Sequence, residues 1–460
     1  MLLSPGKIVL GGDSELKIFT WADAFEKQAV QKDITDIINL ANQVDSLTEE
    51  EEETDSVQME YKENPDPNIG KKKVHPIQYA SDTVFPLDNF FASLVKLSSS
   101  DELIRILHYG DSQLEGDRMS DYLRNRFQKR FGGCGVGLVP VTELEGARSS
   151  LYQEASPNWV KYATYGIDRK QPKHKNYGVL GSYFTFDKSA PNNTGEMKLF
   201  RSKYAYKRFN VIENFKVLLR NKQDEVQVVV DMNGKRLGKE LVAPDKDLTV
   251  VRFPVEEEFR NINVNFMSQG QPDIYGIAMD CNRGIALDNI AMRGSSGTEF
   301  TQISRGFYKE QIEKLNVKFL ILQFGVNVIP SVLDDYGFYE YSMTQQLKYL
   351  KSLSPDLDIL VIGVSDMSRK NGTKYETYPN VELVRDAQKN AAFKAGCAFW
   401  DLYDAMGGEN SMVSWVNADP PLASTDYTHF TRRGAGAVAE MVYNEIIAEY
   451  IRYKKRKLAQ

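Results

Sequence analysis

The stretch from Leu103 to Gln113, Leu-Ile-Arg-Ile-Leu-His-Tyr-Gly-Asp-Ser-Gln, constrains this chain more than any other. A short apolar run ends in Gly110, Asp111 and Ser112. From Asp117 to Phe131 the apolar residues Met119, Leu123, Phe127 and Phe131 then recur every four positions. The first pattern is that of a strand, the second that of a helix with one buried face. A strand that turns at once into a helix lifts Ser112 onto the rim of a sheet. Its hydroxyl is exposed there, and the free N–H groups of the helix start favour developing negative charge. An α/β fold presenting a nucleophilic serine is expected.

Gly12, Asp13 and Ser14 repeat the motif after the run Lys7 to Leu10, but no helical apolar face follows, and a surface turn is expected. Ser112 therefore depends on partners elsewhere, and there are only four histidines. His75 sits beside a proline in a linker-like stretch, His108 lies within the strand before Ser112 as a structural residue, and His174 is in a polar loop. His429 closes Ser424-Thr-Asp-Tyr-Thr-His ahead of a C-terminal helix from about Arg433, with Asp426 three residues before it. One turn can bring that carboxylate to the imidazole Nδ1–H, leaving Nε2 to take the Ser112 proton.

Two further segments offer oxyanion donors. Val317 to Gly325 is a nearly continuous apolar run, the pattern of a central parallel strand, and Asn327 emerges at its carboxyl end, where open α/β sheets place their sites. Gly294 follows another strand, and a glycine lets its backbone N–H approach a substrate oxygen closely.

Taken in order, the four segments resemble the SGNH hydrolases, the GDSL esterase superfamily, with Ser112, Gly294, Asn327 and His429 at its four named positions and Asp426 completing the triad. The resemblance implies a three-layer, flavodoxin-like α/β domain with a parallel sheet. It also implies an oxyanion hole made by Ser112 N–H, Gly294 N–H and the Asn327 amide. The stretch between Ser112 and Gly294 is long enough for a complete extra domain. It carries short runs at Phe215 to Leu219, Val226 to Met232, Leu248 to Val255, Ile262 to Met267 and Ile274 to Met279, with Asn233-Gly234 as a hairpin signal. Such runs without a long helix suggest an all-β, jelly-roll-like sandwich.

This layout is similar to that of peptidoglycan O-acetylesterases, which carry a carbohydrate-binding-module-like sandwich between the first two blocks. Gly-Asp-Ser-Gln, followed by Gly132 to Pro140, also resembles that subgroup. The expected division is an N-terminal extension over 1–100, a hydrolase domain over 101–140 and 286–460, and the insert over 141–285. Gln113 is a candidate substrate contact. Trp159, Tyr162, Tyr165 and Tyr177 are candidate sugar platforms, with a place in the sandwich's own core as the alternative.

Composition narrows the partners. A net charge of −6 speaks against nucleic acid, and no segment approaches the roughly 18 apolar residues of a membrane span. The acidic run Glu49 to Glu53, Asn64 to Pro67 and Lys71 to Lys73 read as a solvated, mobile segment. Cys134, Cys281 and Cys397 are far apart and odd in number, which argues against a disulfide framework, and no Cys or His pair has zinc-ligand spacing. No metal and no cofactor is expected. Met1-Leu-Leu-Ser-Pro-Gly-Lys looks like a trimmed start, consistent with a periplasmic or secreted protein whose export signal has been removed. The expected activity is a serine esterase that removes O-acetyl groups from a glycan, peptidoglycan first and plant polysaccharide such as xylan second. An O-acetyltransferase and a non-catalytic glycan-binding protein share these residues as alternatives.

Overall fold

The computed structural model describes residues 7–9, 15–17, 32–53, 75–143, 148–166, 174–187 and 193–459. Ser14, Asn64 to Pro67 and Lys71 to Lys73 lie outside them.

Five parallel strands form the central sheet: β1 (Leu103–Gly110), β2 (Gly284–Ala291), β3 (Val317–Gln323), β4 (Asp358–Ile362) and β5 (Ala398–Trp400), in the order β2-β1-β3-β4-β5. This is the flavodoxin-like order, with its switch point between β1 and β3. Alternation along the strands feeds two cores, one on each face. Ile104, Ile106, Phe319 and Ile321 point one way, while Leu107, Tyr109, Leu320 and Leu322 point the other.

Helices α1 (Thr35–Glu53), α2 (Asp88–Lys96), α3 (Ser120–Phe131) and α7 (Arg432–Leu458) belong to the first side; α4 (Arg305–Lys314), α5 (Gly337–Lys351) and α6 (Val381–Lys394) cover the second. Met119, Leu123, Phe127 and Phe131 are all buried, as their spacing predicts.

Described residues before Asp101 pack on the parallel-sheet layer. Glutamate is a good helix former, and the run Glu49 to Glu53 forms the end of α1. Val44 of α1 packs on α7, and Arg433 holds Asp45 at 2.7 Å. Phe90 of α2 stacks on Phe319 at 4.3 Å. Gln78 exchanges two backbone hydrogen bonds with Phe399 and so covers the open edge at β5. The parallel-sheet layer thus recruits chain N-terminal to Asp101.

Between β1 and β2 in the chain lie two antiparallel sheets. One orders the strands Lys235–Val242, Val226–Met232, Asn261–Ser268, Thr194–Arg201 and Leu151–Ala155. The other orders Asp245–Pro254, Asn214–Asn221, Asp273–Asp280, Ser182–Phe186 and Trp159–Ala163, with Gly137–Val139 added beside Asp273–Asp280. Alternate residues such as Val226, Val228 and Val230 of one sheet share a core with Val217, Leu219 and Ile277 of the other, so the sheets pack face to face. Asn233 and Gly234, both with positive φ, make the hairpin turn.

Two features join sandwich to sheet. Arg105 of β1 reaches Asp280 at 2.5 Å and Asp288 of β2 at 2.6 Å, all three fully buried. Cys134 and Cys281 form a disulfide where the chain enters and leaves the antiparallel sheets. That corrects the reading of the cysteines: Cys134 and Cys281 are distant in sequence because a whole folded layer loops out between them. Cys397 is free and buried.

Candidate active site

The site lies at the carboxyl ends of the parallel strands. Gly110 closes β1, and a Cβ there would come within 2.7 Å of the Gln323 carbonyl, so a side chain is excluded where the chain turns. A single 3-10 turn, Ser112–Leu114, follows, capped by Asp111, which accepts the Gln113 N–H at 3.0 Å. Burial pushes the Asp111 carboxyl up to about 6, against the pull of the N–H groups of Gln113, Val326 and Gly325.

Ser112 Oγ lies 2.8 Å from His429 Nε2, and His429 Nδ1 lies 2.7 Å from Asp426 Oδ2. With Nδ1–H donating to the carboxylate, Nε2 is the acceptor for the serine hydroxyl. Asp426 Oδ1 also accepts the backbone N–H groups of Thr428 at 2.9 Å and His429 at 3.0 Å. Partial burial raises the Asp426 carboxyl, but these N–H groups and the His429 ring outweigh it and hold the acid below the ordinary carboxylate range. It is a charged partner for an imidazolium.

Asn327 is exposed and donates one amide N–H to the Ser295 carbonyl at 2.9 Å, which fastens it beside Gly294 and leaves its second N–H available. Gly294 has φ +76° and open space where a side chain would stand.

Comparison with known proteins follows the fold. No protein-family model matches the sequence, and no curated protein matches it. A solved peptidoglycan O-acetylesterase superposes with a TM-score of 0.61 at 20% identity, covering 81% of this chain and 99% of its own. This chain shares the overall fold of that esterase. A family two carbohydrate esterase from Clostridium thermocellum, solved with cellohexaose, matches at 10% identity over 63% of this chain and 98% of its own; its TM-score of 0.25 adds nothing to the comparison.

Within this site, Gln113 is tied to the histidine loop. It is buried, its amide donates to the Thr428 carbonyl at 2.6 Å, and its oxygen accepts the Phe430 N–H at 3.3 Å. Gln113 grips the chain on both sides of His429. Arg118, missed in the sequence, adds a second clamp: its guanidinium donates to the carbonyls of Ser112 at 2.9 Å, Phe430 at 2.8 Å and Glu115 at 2.5 Å. Gln113→Ala should lower kcat on a small ester about tenfold or more with little change in KM, because it misplaces His429 and not the substrate. A kinetic split in the opposite sense would return Gln113 to substrate binding.

The other histidines stand apart. His108 is buried between Ser120 Oγ at 2.9 Å and Gln323 Oε1 at 3.3 Å, and burial pushes it down to about 4, so it is a neutral structural residue. His75 pairs with Asp404, and His174 stacks on Tyr183.

The early aromatics of the antiparallel sheets serve those sheets. Trp159 packs on Phe186 and Phe266 and donates to the Glu196 carbonyl, while Tyr177 is buried. Tyr162 stacks on Tyr183 at 5.1 Å, and the half-buried Tyr165 ring lies under Lys161. Trp159 and Tyr162 sit on the edge strand Trp159–Ala163, where aromatic side chains supply apolar cover. Other aromatics are more exposed, among them Tyr152 at 47% and Tyr204 at 61%.

Proposed function

We propose that this chain is a serine carbohydrate esterase that removes O-acetyl groups from a glycan, with peptidoglycan as the first substrate to test. The observation that carries the reading is the unbroken hydrogen-bond chain from Ser112 through His429 to Asp426. In this reading Ser112 Oγ attacks the acetyl carbonyl while His429 takes its proton, and Asp426 stabilises the imidazolium. Ser112 N–H, Gly294 N–H and the free Asn327 amide hydrogen hold the oxyanion. His429 then protonates the departing sugar oxygen, and water releases acetate from acetyl-Ser112 by the reverse sequence.

The peptidoglycan assignment draws support from the fold shared with a peptidoglycan O-acetylesterase. The buried disulfide suits an oxidising compartment outside the cytoplasm. No helix among the described residues is long and apolar enough to cross a membrane. Acetate release from O-acetylated peptidoglycan should exceed that from acetylated xylan, and it should survive exhaustive chelation. Zinc-restored activity after chelation would replace the serine mechanism with a metal-dependent one.

For the glycan chain itself, Tyr152 and Tyr204 are the better platforms. Tyr152 lies beside Phe200 at 5.7 Å, and the Tyr204 carbonyl is 3.4 Å from the guanidinium of Arg432, three residues beyond His429. Replacing both tyrosines by alanine should lower acetate release from polymer severalfold and leave p-nitrophenyl acetate turnover unchanged, since a small ester has no remote contacts to lose. Equal losses on the two substrates would give these rings a purely structural role.

A further inference from the structure

Five non-glycine residues among those described have positive φ. Four are Asp or Asn, which tolerate that region; the fifth is Tyr427, at +56°, a bulky residue for which it is strained. Tyr427 stands between Asp426 and His429, inside a loop that closes on itself. Its N–H donates to the Ser424 carbonyl at 3.0 Å, and the Ser424 N–H donates to the His429 carbonyl at 2.8 Å. The left-handed residue is what lets Asp426 curl back to meet both the backbone N–H and the ring of His429.

Something must hold that conformation, and a neighbouring element is placed to do so. A small hairpin, Ser368–Asn371 with Lys374–Thr377, rises from the chain after β4. The Ser368 N–H donates to the Tyr427 carbonyl at 3.0 Å. Tyr375 on the second arm lies flat on the Tyr427 ring, with centroids 3.6 Å apart and planes 7° from parallel. The hairpin root is fixed in turn: Thr377 Oγ1 donates to buried Asp366 at 2.7 Å, and its N–H to Asn410 at 3.2 Å. Backbone and ring of Tyr427 are thus gripped from one rigid support.

We infer that Tyr375 is a positioning residue, whose ring holds Tyr427 in its left-handed conformation and so keeps Asp426 and His429 aligned on Ser112. The inference rests on the serine-esterase reading of the site. It differs from a sugar-platform role, because each tyrosine ring spends a face on the other.

The test is a double-mutant cycle on p-nitrophenyl acetate, which is too small to touch the hairpin. Tyr375→Ala should lower kcat about tenfold at unchanged KM, and Tyr375→Phe should restore it, since stacking needs the ring and not the hydroxyl. Tyr427→Gly should cost less, because glycine adopts positive φ freely. In that background Tyr375→Ala should do nothing further, so the double variant should be more active than Tyr375→Ala alone. Losses that multiply, a wild-type kcat for Tyr375→Ala, or a loss seen only in KM for polymer would each overturn the inference. The proton NMR signal of His429 Nδ1–H supplies an independent readout. It should weaken in Tyr375→Ala and return in the double variant, even if wild-type protein released no acetate and the esterase reading itself failed. An unchanged signal in Tyr375→Ala would count against the positioning role.

Discussion

Ser112→Ala and His429→Ala are each expected to reduce kcat on a small acetyl ester by on the order of 10⁶-fold, leaving only the residual rate that binding and oxyanion donors provide. The two losses should not add, because nucleophile and base act as one unit joined by the 2.8 Å hydrogen bond. Asp426→Asn should be milder, roughly 10⁴-fold, since the carboxylate orients and stabilises the ring without touching the ester. Asn327→Ala should cost about 10²- to 10³-fold, the usual effect of one oxyanion donor. Circular dichroism and thermal unfolding should be unchanged for Ser112→Ala. Turnover by Ser112→Ala near the wild-type rate would end the serine-esterase reading.

Asp426 also makes a pH statement. Its carboxyl is held below the ordinary range in the fold, so its contribution to stability is present above the unfolded carboxylate value, about 3.9, and is lost as pH falls through the lower folded value. The active-site loop should therefore loosen only in strong acid. Hydrogen exchange at Thr428 and His429, whose N–H groups bind that carboxylate, would report it.

What could be read from the sequence was set by periodicity and by local turns. The four-residue spacing from Met119 to Phe131 and the apolar run into Gly325 gave the α3 helix and the β3 strand, because burial of those faces is what drives them. Asp426 and His429 are three residues apart, so one turn decided their meeting. Gln113 and Arg118 were harder for a definite reason. The contacts that tie both to the His429 loop are with backbone groups of Thr428 and Phe430, more than three hundred residues away, and a backbone group has no sequence signature. The hairpin from Ser368 to Thr377 was invisible for a similar reason: it is short, polar at its tip, and held by Asp366 and Asn410 rather than by an apolar face. Trp159 was open between two readings, since an aromatic residue in a short strand is as well suited to close a small core as to bind sugar.

The other large expected effect is at the junction of the parallel sheet and the sandwich. Arg105→Met should destabilise the protein by roughly 3–5 kcal/mol, measured by urea unfolding at neutral pH. The arginine is buried, and its guanidinium answers Asp280 from the sandwich and Asp288 from β2. Methionine fills similar space but leaves two buried carboxylates facing each other. Lys216, 3.1 Å from Asp280, can answer one of them. Asp288 keeps the Leu138 N–H, at 2.7 Å, with the buried Arg148 guanidinium as a more distant charge. Desolvation and mutual repulsion would raise the carboxyl values in the variant above their unfolded ones, so the folded variant binds protons more tightly than the unfolded chain. Its stability is then fullest below the unfolded value, about 3.9, and declines as pH rises through the raised folded value. The deficit against wild type should accordingly shrink on acidification from pH 7 toward pH 4. Adding Asp280→Leu and Asp288→Leu to Arg105→Met should recover much of the loss at neutral pH, because the desolvated charges are gone and the space stays filled. A deficit in Arg105→Met that is flat with pH would assign the loss to packing around residue 105 instead of to the stranded carboxylates.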